Sequence, residues 1–305
     1  MDKIQENLLA EIADLHGVPE GAYNIRSNRV SVQRNCTANI DIETKNDKSG
    51  IDIYIRPGTK NESVHIPVIL DKNGLKEKVY NDFHIGEGAD VVIVAGCGIH
   101  CGGADDMQHD GIHTFYVEKN ARVKYIEKHY GEGDGNGKRV LNPETVIYLA
   151  EGAYMEMEAT QIKGVDSTVR VTKAKVGDNA KLVIHEKIMT HGNQLAKTDF
   201  IVDLDGENSA ANVVSRSVAK DNSKQIFISN IRGNNKCSGH TECDAIIMDN
   251  ANVSAIPEIV AGNVDASLIH EAAIGKIAGE QLVKLMTLGL TEKQAEEQIV
   301  SGFLR

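Results

Sequence analysis

Two stretches of the sequence concentrate the side chains that hold metals and sulfur. The first is Cys237-Ser-Gly-His240-Thr-Glu-Cys243-Asp244, with two thiols and an imidazole inside seven residues. Thiolates bind soft metals and iron–sulfur clusters, and imidazole can replace one of them. A C-x2-H-x2-C spacing is not that of a zinc finger, so a site here needs ligands from elsewhere; otherwise the thiols are incidental. His270-Glu271 follows downstream. In a stacked fold His270 could face Cys243; the plain alternative is a His and a Glu facing solvent. The second stretch runs Cys97-Gly-Ile-His-Cys101 to His109-Asp-Gly-Ile-His113, with two Cys, three His and three Asp in seventeen residues. His109-x3-His113 would suit one helical turn holding zinc with a thiol. Its glycines favour instead an extended loop in which Cys97 and His113 fill space. Cys36 is isolated and is expected to be buried.

Other patterns fail on inspection. Gly131-Glu-Gly-Asp-Gly-Asn-Gly137-Lys138 has Glu132 and Arg139 where a phosphate loop needs Gly and Ser or Thr, and it reads as a flexible acidic loop. His185-Glu186 and His270-Glu271 are followed by Met189 and Ile274, so neither opens a zinc-protease helix. No nucleophile elbow or dinucleotide fingerprint is present, and no nucleotide site is expected.

The elements that must position these residues are mainly strands. Ile4, Leu8, Ile12 and Leu15 mark an N-terminal helix stopped by His16-Gly17-Val18-Pro19. Short alternating runs then dominate, such as Ile51–Ile55, Ala89–Val94, Val123–Ile126, Thr145–Leu149 and Lys181–Ile184. A turn ending in a small residue recurs before a strand, with small residues at 89, 121, 153, 180, 209, 251 and 266, spaced near multiples of 15. Such repetition predicts a parallel β-helix in preference to an antiparallel sandwich, since hairpin signals are scarce. Leu282, Leu285, Met286 and Leu288 mark one C-terminal helix. Thr291 and Gln294 open another with a capping box, and the pair is expected to cap the open end of the solenoid. The expected organisation is thus an N-terminal helical segment over 1–27, a β-helix core over 28–268 and a C-terminal helical domain over 269–305.

Bulk properties narrow the partners. A net charge of −11 with dispersed basic residues argues against nucleic acid. No run approaches the roughly 20 apolar residues of a membrane span, and the acidic N-terminus is no signal peptide. Five cysteines without an export signal are expected to be reduced in the cytoplasm.

The C-terminal third resembles the SufB/SufD family of iron–sulfur cluster assembly scaffolds. The likeness rests on Glu242-Cys243-Asp244 before an apolar strand, Ala255-Ile-Pro257, Ile269-His270-Glu271-Ala272 with Lys276, and the closing helices through Phe303; it weakens back to about residue 80. The resemblance implies a β-helix with helical ends and a scaffold, not an enzyme, on which a transient iron–sulfur cluster forms. It further implies a SufC-like ABC-type ATPase docking on the helical region and a cysteine desulfurase or other sulfur donor. Pairing would be with a second copy or a SufD-like paralogue through the C-terminal part of the β-helix. Cys243 matches the cysteine of cluster assembly and His270-Glu271 the His-Glu pair near it, with His240 and Cys237 as further ligands. Two departures stand out: the chain lacks the long N-terminal portion of bacterial SufB, and Ile269 stands where many members have Glu. Both suggest a compact homodimeric type. A zinc enzyme built on His109 and His113, and a SufD-like structural subunit, are the alternatives.

Overall fold

The chain was analysed as a computed structural model that describes residues 2–15, 17 and 19–304. Helix α1 (Lys3–Ala13) is capped by the Asp2 side chain, which accepts from the Gln5 N–H. It ends at Asp14 in the left-handed conformation, before Pro19; His16 and Val18 of the expected stop lie outside the described residues. Two antiparallel hairpins follow, β1 (Ala22–Ser27) with β2 (Val30–Asn35) and β3 (Ile40–Thr44) with β4 (Gly50–Ile55). Long strands then alternate between two parallel sheets: β5 (Lys60–Leu70), β6 (Lys76–Ile85), β7 (Asp90–His100), β8 (Met107–Val117), β9 (Arg122–Glu132), the short pair β10 (Arg139–Leu141) and β11 (Glu144–Leu149), β12 (Tyr154–Lys163), β13 (Ser167–Val176), β14 (Lys181–Thr190), β15 (Leu195–Leu204), β16 (Ser209–Ala219), β17 (Lys224–Gly233), β18 (Cys237–Ile247), β19 (Asn252–Ala261) and β20 (Ser267–Gly275). Helices α2 (Gly279–Thr287) and α3 (Glu292–Phe303) close the chain.

One sheet runs β2-β1-β5-β7-β9-β12-β14-β16-β18-β20 and the other β19-β17-β15-β13-β10-β8-β6-β4-β3, with β11 beside β8 and β13. The fold is the expected parallel β-helix, of about eight turns. Alternation sends every second side chain inward, and those residues form one continuous core from Ala22 to Cys243. The repeat has a simple physical basis. Gly88, Asn120, Gly152, Asn179 and Asn208 take left-handed φ values of 64, 55, 68, 53 and 56°, which Gly and Asn tolerate best. Each turn's backbone N–H bonds the carbonyl of the next turn in the stack. The small residue after the turn, Ala89, Ala121, Ala153, Ala180 or Ser209, is then fully buried. The next member of this column is Cys237, which pairs with Ser209, whereas Ala251 belongs to a turn stacked at another edge, over Asp221.

Four expectations about the elements are corrected. Strands begin at Ala22, not 28, and continue through Gly275, so His270 and Glu271 sit on β20, not in the helical segment. His109 and His113 lie on strand β8, not on a helical turn. Cys36 is exposed. The C-terminal helices do not cap the end of the solenoid. Val300, Phe303 and Leu304 instead pack on Met189, Val218 and Ile246, an apolar column along the outer face of the first sheet. Strands β19 and β20 are therefore left as open edges, with Ile256 and Ile269 50% and 52% exposed.

Candidate functional site

Strand β18 carries the whole first cluster, and alternation divides it. Cys237, Thr241 and Cys243 are buried, while His240 and Glu242 are partly exposed on the outer face. The two thiols lie six residues apart on one strand, about 20 Å at the usual rise, so they cannot share an ion. Cys237 fills the small-residue column described above and serves packing.

Cys243 and His270 share the inner face. In the β18–β20 register Cys243 opposes Ala272 and Thr241 opposes His270, which makes thiol and imidazole diagonal neighbours on adjacent coils. His270 Nδ1 lies 2.6 Å from Thr241 Oγ1, which fixes the ring. Its Nε2 is buried with no hydrogen-bond partner. Burial, then the neighbouring His240, lowers the pKa of His270, so the ring is neutral near neutrality. The Cys243 thiol is pushed up to about 12 by burial and then by the charges of Glu186 and Asp244. A thiol so protected is poorly nucleophilic by itself, and a coordinating metal ion is what would displace its proton.

Glu271 points the other way. Strand β20 sets it opposite Glu242 on the outer face, with its Oε2 3.5 Å from His240 Nε2. His240 Nδ1 is held at 2.9 Å from Asn212 Oδ1. One donor atom each from His240, Glu242 and Glu271 falls within 4.8 Å of the others, the one such group of metal-binding side chains among the described residues. The five residues expected to converge thus form an inner pair, an outer group and one packing thiol.

The second stretch also separates. Cys97, on the inner face of β7, and Cys101, just beyond its end, are both buried in a satellite apolar cluster with Val68, Ile99 and Met107. His109 Nδ1 lies 3.1 Å from Glu77 Oε1, itself paired with Arg26. His113 is occupied at both nitrogens, by Tyr125 OH at 2.7 Å and by Asn81 Nδ2 at 3.3 Å. His113 thus has no ring nitrogen left for an ion, and His109 has no group of three donors around it among the described residues, which does not fit a zinc centre.

Those histidines belong to an interior polar row that inspection of the sequence missed. Tyr125 OH donates to Glu127 at 2.9 Å, and Glu127 forms a buried ion pair with Arg170. Arg170 also lies 3.3 Å from His129 Nδ1 and 3.6 Å from Glu186. Glu186 accepts from Thr198 at 3.0 Å and from Ser215 at 2.8 Å. Ser215 in turn pairs with Cys243 in the strand register, so the row runs inside the solenoid from Glu77 to Cys243. Burial alone would raise the Glu127 carboxyl, but the Arg170 charge overrules it and holds it well below the carboxylate range. Burial dominates at the rings, lowering His113 to about 4 and His129 to about 3. Cys97 borders this row, and burial, then Glu77 and Glu127, raises its thiol pKa strongly. The signal was present: Val123, Tyr125, Glu127 and His129 keep one parity along β9, so charges stand in phase with core residues.

The family model described as "SUF system FeS cluster assembly, SufBD core domain" matches residues 78–303. An iron-sulfur cluster assembly SufBD family protein of Archaeoglobus fulgidus is 32% identical over 263 residues, covering 85% of this chain and 69% of the relative. One from Methanocaldococcus jannaschii is 33% identical over 190 residues, 62% of this chain and 60% of the relative. One from Methanothermobacter thermautotrophicus is 27% identical over 271 residues, 86% and 64% respectively. The chain therefore spans about two-thirds of the length of these relatives. With a parallel β-helix, a family model matched over residues 78–303 and a relative 32% identical over 85% of the chain, the chain belongs to the SufBD family.

Proposed function

We propose that this chain is a cytoplasmic scaffold on which iron–sulfur clusters are assembled and from which they are passed on, with Cys243 and His270 as its inner ligands. The observation that carries the reading is the orphaned His270 Nε2, beside a buried thiol at the open end of the solenoid. A buried polar atom without a partner is rare and invites a ligand. Thiolate and imidazole are both known cluster ligands, and here the imidazole is already oriented by Thr241.

One chain offers two such donors, and a cluster commonly takes four, so two copies joined through the open edges of β19 and β20 would complete the set. A SufD-like paralogue in place of one copy is the heteromeric form of the same arrangement. Iron and sulfur are substrates in this scheme. Sulfur would come as persulfide from a cysteine desulfurase. A SufC-like ATPase docking on α2 and α3 would supply the work that opens the paired scaffold for loading and release. The scaffold itself would perform no catalysis.

The test is the iron and acid-labile sulfide content of protein purified anaerobically after co-expression with its ATPase. Wild type should carry both in stoichiometric amount, and Cys243→Ala and His270→Ala should lose most of each. Equal loading in wild type and Cys243→Ala would sink the assignment of the site. Absence of iron from all three would favour a SufD-like structural subunit.

A further inference from the structure

Two glutamates face each other across adjacent strands on the outside of the sheet, where like charges directly opposite are unfavourable. Glu242 and Glu271 are that pair, and His240 stands beside them with its Nε2 3.5 Å from Glu271 Oε2. The imidazole is not free to turn away, because Asn212 holds its other nitrogen at 2.9 Å. This is how metal-ligating histidines are commonly set, one nitrogen fixed by a neighbouring amide or carboxylate and the other presented to the ion. The three donor atoms lie within 4.8 Å of one another, close enough to be drawn onto one ion.

We propose that His240, Glu242 and Glu271 form a site for a divalent first-row cation, ferrous iron, on the outer face of the sheet and separate from the thiol site within. The donor set decides the class of metal. One imidazole and two carboxylates suit Fe(II), Mn(II) or Zn(II), with positions left open for water or a further ligand, and they do not suit a soft ion or a preformed cluster. A doubly charged cation drawn among these donors would also relieve the opposition of Glu242 and Glu271, which stand directly across from each other in the register. The choice of iron rests on the assembly reading above. Glu242 and Cys243 are consecutive on β18 with side chains on opposite faces, and β20 is the terminal strand. An ion held outside is thus one free edge from the inner thiol, and the outer group acts as the point where iron waits before it meets sulfur.

The test uses full-length protein, anaerobic and metal-free, titrated with Co(II) as a spectroscopic probe and with Fe(II). In a Cys243→Ser background one Co(II) per chain should still bind, with weak ligand-field bands and no sulfur-to-metal charge transfer. Glu242→Gln and His240→Gln should each weaken binding tenfold or more, and Asn212→Ala by about tenfold, as removal of an orienting partner does. These side chains lie on the outer face, and circular dichroism will report whether each variant is folded. Loss of Co(II) on Cys243→Ser, or unchanged affinity in folded Glu242→Gln and His240→Gln, overturns the proposal. Failure of the assembly reading looks different: wild type would load no sulfide while the Co(II) titrations behaved as stated, and the metal site would stand.

Discussion

Arg170 is 3% exposed and lies between Glu127 and Glu186, two carboxylates that are themselves 2% exposed. The cost of taking these charges out of water is offset only while all partners are present. Arg170→Met should therefore destabilise the protein by about 3–5 kcal/mol in urea unfolding, the usual loss when one member of a buried pair is removed. Adding Glu127→Gln should recover part of that loss, because it removes the carboxylate left unpaired; a double variant no better than the single would show that the pair is not the cause. The neighbouring histidines make a second prediction. An unfolded chain protonates its histidines near pH 6.5, whereas folded His113 and His129 resist until about 4 and about 3. The unfolded state binds the extra protons between these values, so stability rises with pH and is lost as pH falls through about 6.5 toward 4. Glu186, whose carboxyl is raised chiefly by burial, acts in the opposite sense above its unfolded value of 4.5. Two rings against one carboxyl leave a net gradient of at least roughly 1.4 kcal/mol per pH unit per net proton. The urea midpoint should accordingly be lower at pH 5 than at pH 7.5, and a midpoint that rises on acidification would refute the assignment of these rings as neutral.

At the scale of elements, what the sequence revealed follows from which forces are local. The turn-plus-small-residue repeat is local chemistry, a left-handed residue followed by one that fits a crowded corner, and it predicted the β-helix, although Ala251 proved to belong to a different column. The capping box at Thr291 and Gln294 is local too, and both of its hydrogen bonds are present. Boundaries read less well: Ala22–Ser27 and Ser267–Gly275 are short, and parallel neighbours decide them more than composition does. The candidate site was half legible. Residue types and the family resemblance pointed to Cys243, His270, His240 and Glu271 but passed over Glu242, and they could not show that one strand points alternate members to opposite faces until its register was known. The same limit hid the reason for Gly96 and Gly98. Both face outward beneath α1, where a Cβ at Gly96 would lie 2.9 Å from Ile12 Cβ and one at Gly98 3.1 Å from Leu8 Cδ2. Those glycines let buried Leu8, Leu9 and Ile12 seat the helix directly on β7, behind Cys97. Gly98→Val, whose added side chain meets Leu8 and Ile12 first, should lift the helix while the stacked strands hold. Hydrogen exchange over residues 3–13 should quicken at least tenfold with the core strands unchanged, and equal protection in both proteins would show that α1 is anchored elsewhere.

The whole molecule is asymmetric in how it ends. Its first coil is closed by the hairpins β1–β2 and β3–β4, which turn the edge antiparallel. Among the described residues no element covers the strands of its last coil, since α3 packs on the side of the stack. Strands β19 and β20 offer unpaired backbone groups along 10 and 9 residues, with exposed Ile256, Ile259, Val260, Ile269 and Ile274 among them. Long edges of this kind usually carry inward charges, proline or a covering element, and when they do not they pair. Pro257 and Glu258 blunt β19 only near its middle, and β20 has His270 and Glu271 as its polar residues between Leu268 and Ala272. The arrangement therefore fits a partner that covers the mouth, and a second copy would bring another Cys243 and His270 to the same point. Ile256→Lys sets a charge on the edge without touching either inner ligand or the outer His240–Glu242–Glu271 group. Sedimentation should then move from dimer toward monomer, with cluster retention falling in step although Cys243 and His270 are intact. A variant that stays dimeric and keeps its iron would shift the pairing surface away from this end. A monomer that still holds a full cluster would break the argument that two chains are needed to complete the ligand set.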